Sequence, residues 1–324
     1  MASFHWLWEN EVAPLDPMDA DVLSAYFPGR GLVVLRTGWD VSDVMFSIEA
    51  GPYYDVIHNQ ADKGHFTFYG LGGRWAIDSG YGNMGPSAPT GRDQTIAQNS
   101  VLVMDRGQAL SGAGTGTNGK ILSYEETAVL SYILVDVTEA YTTNSKGTRH
   151  LPMGKAIRHA VYVKPGGGVV PYVIIADDIE LSMTMPVNYQ WLLHTEVGYE
   201  VAVDERGATI HSPGTEAFAR LEVLNPAEPE VTIDEYQAHL GSYQGSARGR
   251  DGWHPLFRVS TTAQNPYFLC ALLLSPEAAI VPQVERSIRE DGTIEVVIQW
   301  PARTDYISWK PGSDTMIGVV VCEK

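Results

Sequence analysis

Apolar and polar residues alternate along many short stretches of the chain, and glycine and proline separate these stretches. The pattern begins at GLVVLRTGW (residues 31–39) and VMFSIEAG (residues 44–51), and it recurs up to the C-terminus. A period of two residues indicates β-strands, because successive side chains of a strand point to opposite faces of a sheet. The helical period of 3.6 residues is nearly absent. The sequence therefore predicts an all-β fold, a large antiparallel two-sheet β-sandwich (a super-β-sandwich) with very few short helices.

The same pattern predicts where the chain is divided. Residues 1–30 form a lead-in or linker with a short helix over DADVLSAYF (residues 19–27), for which Asp19 serves as the N-cap. A second short helix is predicted over TIDEYQAHL (residues 232–240). Residues 31–324 form a single β-sandwich domain in three parts: a main body (31–225), an irregular, acidic excursion (226–255) and the final strands (256–324).

Charge restricts the partners that the protein can bind. The chain has 324 residues and a formal net charge of -17, which disfavours nucleic acid and anionic membrane surfaces. Residues 51–170 are nearly neutral, with ten Lys/Arg against nine Asp/Glu. The acid excess therefore lies outside this segment, and an acidic ligand remains compatible with it.

Targeting and redox features are few. The N-terminal MASFHWLWENE lacks the basic start and apolar core of a secretory signal, and no apolar run reaches the ~18 residues of a membrane span. These features assign no cellular location. Cys270 and Cys322 both lie in apolar runs, which favours buried free thiols over a disulfide.

The side chains with the most chemistry lie between His58 and Arg106. His58, Gln60 and Asp62 alternate, so on a strand they share one face. Asp78 ends the next strand-like run, and Gln98 precedes a third, so three neighbouring strands would bring these side chains into one polar patch. His58 is the candidate for proton transfer. A structural hydrogen bond at the end of a strand is the alternative role for this histidine.

A metal site in this patch is disfavoured by its ligands. Zinc prefers His, Cys or carboxylate, and a catalytic zinc has three such protein ligands. Gln60, Asp78 and Gln98 supply one carboxylate and two amides. The residues therefore predict no cofactor but a metal-free structural network, in which both glutamine NH2 groups donate to the Asp78 carboxylate. If a metal is bound, Asp78 is its ligand.

Other side chains of this segment are candidates for binding a substrate. His65 alternates with Thr67 and Tyr69 and would line the same surface. Arg92 and Arg74 are the nearest cations for a carboxylate or a sulfate. The aromatic residues that could stack on a sugar ring include Tyr54, Tyr69 and Tyr81, with core packing as the alternative for each. The chain has no nucleophile elbow, phosphate-binding glycine loop or Cys-x-x-Cys, which excludes most common hydrolases, nucleotide enzymes and zinc ribbons.

Two segments of this region also carry a family resemblance. HNQADKGHFTFYGLGGRWAIDSGYGN and DQTIAQNSVLVMDRGQ resemble the β-sandwich (C-terminal) domain of heparinase II/III-like polysaccharide lyases. The corresponding family pattern is His-x-His-x-Asp, then Asp-x-Gly, then His-Asn before a strand. The later segments RHAVYVKPGG, PYVIIADDI and WLLHTE resemble further strands of the same domain.

The resemblance implies roles for individual residues. His58 falls on a histidine that acts in the active site of the family, and Asp78 falls on a zinc-binding aspartate. Gln60 and Gln98 fall on the two zinc-binding histidines, so the expected zinc loses two of its three ligands here. The family also implies a secreted or periplasmic location. Its N-terminal α/α toroid, which forms the other wall of the substrate cleft, is expected to be lacking.

Two functions follow from the resemblance as expectations. The first is a polysaccharide lyase, or a stand-alone domain of one, that cleaves uronic-acid-containing polysaccharide by β-elimination. His58 would act in catalysis, and the substrate-binding residues would be Arg92, Tyr81, His65 and Tyr54. The alternative is a non-catalytic carbohydrate-binding or assembly β-sandwich module that has lost the lyase chemistry. The expected partner is an acidic polysaccharide, with a second copy or a separate toroid domain completing the cleft.

Overall fold

The computed structural model describes residues 22–52, 60–80, 94–109, 118–142, 150–237, 253–277, 281–312 and 316–323. The strands of its first half are β1 (Ser24–Phe27), β2 (Leu32–Arg36), β3 (Met45–Glu49), β4 (His65–Gly70), β5 (Gly73–Ala76), β6 (Val101–Val103), β7 (Lys120–Glu126), β8 (Leu130–Asp136), β9 (Met153–Val163) and β10 (Tyr172–Leu181). The strands of its second half are β11 (Val187–His194), β12 (Glu200–Asp204), β13 (Gly207–His211), β14 (Phe218–Asn225), β15 (Glu230–Gln237), β16 (Trp253–Ala263), β17 (Tyr267–Ser275), β18 (Gln283–Ile288), β19 (Ile294–Gln299), β20 (Arg303–Trp309) and β21 (Gly318–Glu323).

Within these residues the strands form four antiparallel sheets. A five-stranded sheet has the order β1-β2-β3-β4-β5, and an eight-stranded sheet has the order β12-β13-β14-β17-β10-β9-β8-β7. A four-stranded sheet, β15-β16-β11-β6, lies beside the five-stranded sheet, and the last four strands form the C-terminal sheet, β18-β19-β20-β21. The predicted all-β antiparallel sandwich is confirmed, although the strands divide into four sheets rather than two.

The eight-stranded sheet is the central layer, because it packs a core against each of its faces. One core joins it to the five-stranded sheet and to the sheet of β11 and β16, with Phe46, Trp75 and Trp191 among the buried side chains. The other core joins it to the C-terminal sheet through Trp300 and Trp309. A strand buried on both faces has no polar side to show, which explains the continuous apolar run YFLCALLLS of β17.

Several local predictions are corrected by the structure. Residues 24–27 form β1 instead of the end of a helix. Residues 232–237 (TIDEYQ) lie in β15, which pairs with β16, instead of forming a helix. The short helix α1 (Thr138–Thr142) was not predicted. Both cysteines are free, as expected, but only Cys270 is buried, since Cys322 lies exposed on the last strand.

No helix in the described ranges is both long and apolar enough to cross a bilayer.

Candidate functional site

The candidate site lies where the five-stranded sheet meets the sheet of β11 and β16. The backbone N–H of Ile77, just after β5, donates to the carbonyl of His194 at the end of β11, at 3.0 Å. Gln98 and Asn99 follow a single 3₁₀ turn over Thr95–Ala97 and lead directly into β6, which pairs with β11. The chain segment after β5 and the segment before β6 therefore meet here. We call the side chains of Gln60, Asp78 and Gln98 in this region the polar junction.

The two glutamines of the polar junction bind each other. The Nε2 of Gln98 donates to the Oε1 of Gln60 at 2.7 Å, and Gln98 is fully buried. Asp78 accepts a bond from the backbone N–H of Gly80 at 2.5 Å, through its Oδ1. The sequence did not predict this bond between the two glutamines. The predicted bonds from both glutamines to the Asp78 carboxylate remain a prediction.

The surroundings of Asp78 disfavour its ionised form. Burial, together with the negative charges of Asp62 and Glu49, raises its pKa from 3.8 to about 6, against the lowering effect of the Gly80 hydrogen bond. Within the described residues Asp78 has no ion pair, whereas Asp62 pairs with Lys63 at 3.2 Å. A carboxyl group of this kind exchanges its proton near neutral pH, which is a property of acid–base sites.

Gln108 fixes the segment that contains Gln60. Its Oε1 accepts from the backbone N–H of Lys63 at 2.9 Å, and its Nε2 donates to the Lys63 carbonyl at 2.6 Å. The amide of Gln108 thus satisfies both backbone groups of Lys63, as a neighbouring strand would do through two hydrogen bonds. Thr95 adds a second tie, because its hydroxyl donates to the Ala61 carbonyl at 2.9 Å. Gly64 lies in the turn before β4 with a φ of +80°, a conformation that glycine adopts without strain.

Asn99 joins the two sheets at the centre of the site. Its Nδ2 donates to the carbonyls of Phe66 and Ile77 at 2.8 and 3.1 Å, and its Oδ1 accepts from the backbone N–H of His194 at 2.7 Å. Every polar atom of this buried amide is therefore used across three chain segments.

His65 is placed inside the protein rather than on a substrate-facing surface, which corrects its predicted position. Its side chain is 8% exposed, and its Nδ1 accepts from the backbone N–H of Asn99 at 3.0 Å. Burial and the charge of Arg158 lower its pKa to about 3, so the ring is neutral near pH 7. The alternation along β4 places His65 on the same face as Thr67 and Tyr69. At His65, however, the segment that leads to β6 covers this face.

Ser79, the residue after Asp78, belongs to a buried group with two histidines. The Nδ1 of His194 and the Nε2 of His254 are 2.8 Å apart, and the Ser79 hydroxyl lies 3.0 and 3.2 Å from them. The Nε2 of His194 donates to the Ile96 carbonyl at 2.9 Å. Burial lowers the pKa of His254 to about 4 and that of His194 well below its usual value. His194 is therefore a neutral interior histidine with a partner for each ring nitrogen.

Arg158 and Asp177 support the site from the central sheet. They face each other on β9 and β10, and the guanidinium binds both carboxylate oxygens, at 2.8 and 2.9 Å. The Nη1 of Arg158 also donates to the carbonyls of Gly64 and Asn99, at 2.6 and 2.7 Å. Both side chains are almost completely buried. Sequence reasoning missed this pair, although opposite charges in two adjacent apolar strands were a usable signal.

Four predicted site residues lie outside the described residues. They are His58, Tyr54, Tyr81 and Arg92. Among the described candidates, the structure brings Gln60 and Gln98 into contact. Sequence reasoning also missed Gln108, whose role depends on a contact with Lys63 across 45 positions and is not visible in any local pattern.

The side chains of the polar junction do not fit zinc. Gln98 uses an amide N–H, which cannot bind a cation, on the oxygen of Gln60, and the junction then offers one carboxylate and one amide oxygen, a poor zinc ligand. In the described ranges no three His, Cys, Asp or Glu side chains converge as a metal site requires.

Comparison with known proteins identifies the family of this fold. The family model for the heparinase II/III-like C-terminal domain matches residues 21–264, well over half of the chain. No curated protein matches the sequence.

Solved structures of heparinases share the fold. A heparan sulfate lyase, HepC, from Pedobacter heparinus superposes with a TM-score of 0.67 and 13% identity, covering 94% of this chain and 43% of its own. A heparinase III gene product gives a TM-score of 0.68 and 14% identity, covering 90% of this chain and 42% of its own. The chain thus spans less than half the length of the structures it matches. It belongs to the heparinase II/III-like C-terminal domain family.

Proposed function

We propose that this chain supplies the β-sandwich part of a polysaccharide lyase that cleaves uronic-acid-containing polysaccharide by β-elimination. Within the family, the observation that carries the proposal is the Asp78 carboxyl group. Burial and its like-charged neighbours raise its pKa to about 6, and carboxyl groups with pKa values perturbed in this way cluster at functional sites. The matched solved structures include a heparan sulfate lyase, which supports an acidic polysaccharide as the substrate class.

The reaction assigns a limited set of tasks to this chain. In β-elimination a base removes the proton on the carbon next to the uronate carboxylate. The bond to the oxygen at the β-carbon then breaks, a carbon–carbon double bond forms, and an acid returns a proton to the leaving oxygen. We assign proton transfer to His58, which precedes Gln60 by two residues in the sequence. Arg92, Tyr81 and Tyr54 are assigned to substrate binding, as the sequence predicted.

A second wall of the cleft is part of the proposal. The matched heparinase structures are more than twice as long as the region they share with this chain. We propose that a toroid domain or a second copy of the chain completes the site. The family-implied zinc has no step in this scheme, because the glutamine pair does not fit it.

The test is formation of the unsaturated product, measured by its ultraviolet absorbance with heparan sulfate, heparin, chondroitin, hyaluronan and alginate. With its cleft completed by a second copy of the chain or by an added toroid domain, the wild type is expected to produce the chromophore with at least one polymer. A His58→Ala variant is expected to lose at least about a hundredfold of that rate, the usual contribution of a general acid or base. His211→Ala, which changes an exposed histidine on β13, is the matched control and is expected to keep full activity. Equal background signals for the wild type and His58→Ala on every polymer would contradict independent lyase activity.

One observation favours a second candidate, a non-catalytic carbohydrate-binding or assembly module. Gln60 and Gln98, at the positions where the family resemblance implies zinc ligands, bind each other instead. Such a module would bind a uronate polymer tightly and release no unsaturated product. Isothermal titration of the same polymers, run beside the absorbance assay, separates the two functions.

A further inference from the structure

The outer face of the five-stranded sheet carries an arginine next to the candidate site. Residues Arg36, Met45, Tyr69 and Arg74 are paired in register across β2, β3, β4 and β5, so they form one row on this face. The opposite face of the sheet holds the buried aromatic core. Arg36, Met45 and Tyr69 are half-buried and Arg74 is exposed, so the row is open to solvent.

Arg74 is held in place but keeps most of its hydrogen-bonding capacity. Its Nη1 binds the Glu196 carboxylate at 3.2 Å, and its guanidinium carbon lies 5.9 Å from the centre of the Tyr69 ring. Its backbone is also fixed, because its N–H donates to the Tyr199 hydroxyl at 2.8 Å. The side chain is nevertheless 61% exposed, whereas that of Glu196 is only 14% exposed. Glu196 thus orients the guanidinium through Nη1, and the Nε and Nη2 atoms make no hydrogen bond within the described residues.

This arginine lies in the electrostatic surroundings of the candidate site. Tyr69 is within electrostatic reach of Arg74, Asp78 and Glu196 at once. The planar guanidinium fork matches a carboxylate, which it binds through two parallel N–H donors. Adjacent to the row, the hydroxyls of Ser47 and Thr67 form a half-buried pair at 2.7 Å on the same face. A cationic fork beside hydroxyl groups is the chemistry that recognises an acidic sugar.

We infer that the Nε and Nη2 atoms of Arg74 bind a uronate carboxylate of the polysaccharide, with Tyr69 and Glu196 as positioning residues. This inference rests on the proposed function, which supplies the acidic polymer. It adds a binding residue to that site. It also extends the path of the polymer from Asp78 onto the outer face of the five-stranded sheet.

The experiment measures binding of a heparan sulfate octasaccharide by isothermal titration, with the same octasaccharide after reduction of its carboxylates as a second ligand. Arg74→Gln is expected to weaken binding of the native octasaccharide about tenfold, the effect of losing one charge-assisted pair. Arg289→Gln is the matched control, because Arg289 is 62% exposed and paired with Glu295 on the distant C-terminal sheet. It is expected to leave the affinity within about twofold, since removing a remote surface charge alters binding only weakly.

The two ligands separate a carboxylate from a sulfate contact. With the carboxyl-reduced octasaccharide, the wild type and Arg74→Gln are expected to bind equally. A tenfold loss that persists with this ligand would assign Arg74 to sulfate and overturn the inference. Equal affinities of the wild type and Arg74→Gln for the native octasaccharide would also overturn it, while leaving the proposed function in place. A wild type that binds no uronate polymer would overturn both.

Discussion

Asp177 and Asp78 are two partly or fully buried carboxylates that the protein treats in opposite ways. Asp177 receives both arms of the Arg158 guanidinium, and Arg158 in turn donates to two backbone carbonyls. Asp78 has one backbone N–H donor among the described residues and two acidic neighbours, Asp62 and Glu49. The first charge is compensated within the fold, and the second has no such compensation among the described residues.

The difference separates a structural role from a functional one. A buried charge that serves the fold must be paired and hydrogen-bonded, because an unpaired one costs several kcal/mol. Asp177 meets this requirement. Asp78 lowers stability at the pH at which it is ionised, so folding alone does not account for it. Three experiments test this contrast.

The largest effect is expected from Asp177→Asn. The substitution leaves the Arg158 charge buried without its counterion, which destabilises the folded state by about 3–5 kcal/mol. Chemical denaturation at pH 7 measures the change. Asp204→Asn is the control, since Asp204 pairs with Arg220 but is 54% exposed and should contribute less than about 1 kcal/mol. Similar losses in both variants would show that burial does not distinguish the two pairs.

Asp78→Asn is expected to act in the opposite direction. The folded-state pKa of about 6 lies above the ordinary value of 3.8, so the folded protein binds this proton more tightly than the unfolded chain. The penalty is therefore complete above pH 6 and disappears as the pH falls to 3.8. Removing the charge should stabilise the protein by about 3 kcal/mol at pH 8 and by almost nothing below pH 4.

Unfolding free energies measured from pH 4 to pH 8 check this sign. The asparagine retains the oxygen that accepts from the Gly80 N–H, so the variant isolates the charge. A loss of stability at pH 8 would mean that Asp78 is compensated after all. The contrast with Asp177 would then disappear.

The smallest effect is expected from metal removal. Because Gln98 donates its amide N–H to Gln60, the polar junction does not fit zinc, and EDTA should leave the melting temperature unchanged. The double variant Gln60→His/Gln98→His restores two imidazole ligands beside Asp78. It should gain about 3 kcal/mol with zinc at a hundred times its dissociation constant. A fall in the wild-type melting temperature with EDTA would contradict the metal-free junction.

The strands were predictable because alternation directly reports which face of a strand is buried. The stacking order was not, since the run YFLCALLLS of β17 shows only that both faces are covered. The error at residues 232–237 has a similar cause. The exposed residues of β15 read as polar and helix-compatible, and only pairing with β16 makes them a strand.

The site was predictable where it depends on local spacing and not where it depends on contacts between distant segments. Gln60 and Gln98 were placed together because two strand ends were expected to meet, and the structure gives them a hydrogen bond. His65 was misplaced, because the chain segment that covers it arrives 34 positions later, at Asn99. The supports Gln108 and Arg158 likewise act on backbone atoms far away in the sequence, which no side-chain pattern records.

The position of β17 has a consequence for how the chain is made. This strand lies beyond the family-matched residues 21–264, yet it pairs with β10 on one side and β14 on the other. During synthesis from the N-terminus, both neighbours leave the ribosome well before the strand that joins them. Until then each presents an open edge, the kind of surface on which chains associate wrongly. The protein therefore depends on its last sixty or so residues to complete its centre, and a chain ended at the family boundary would be expected to aggregate.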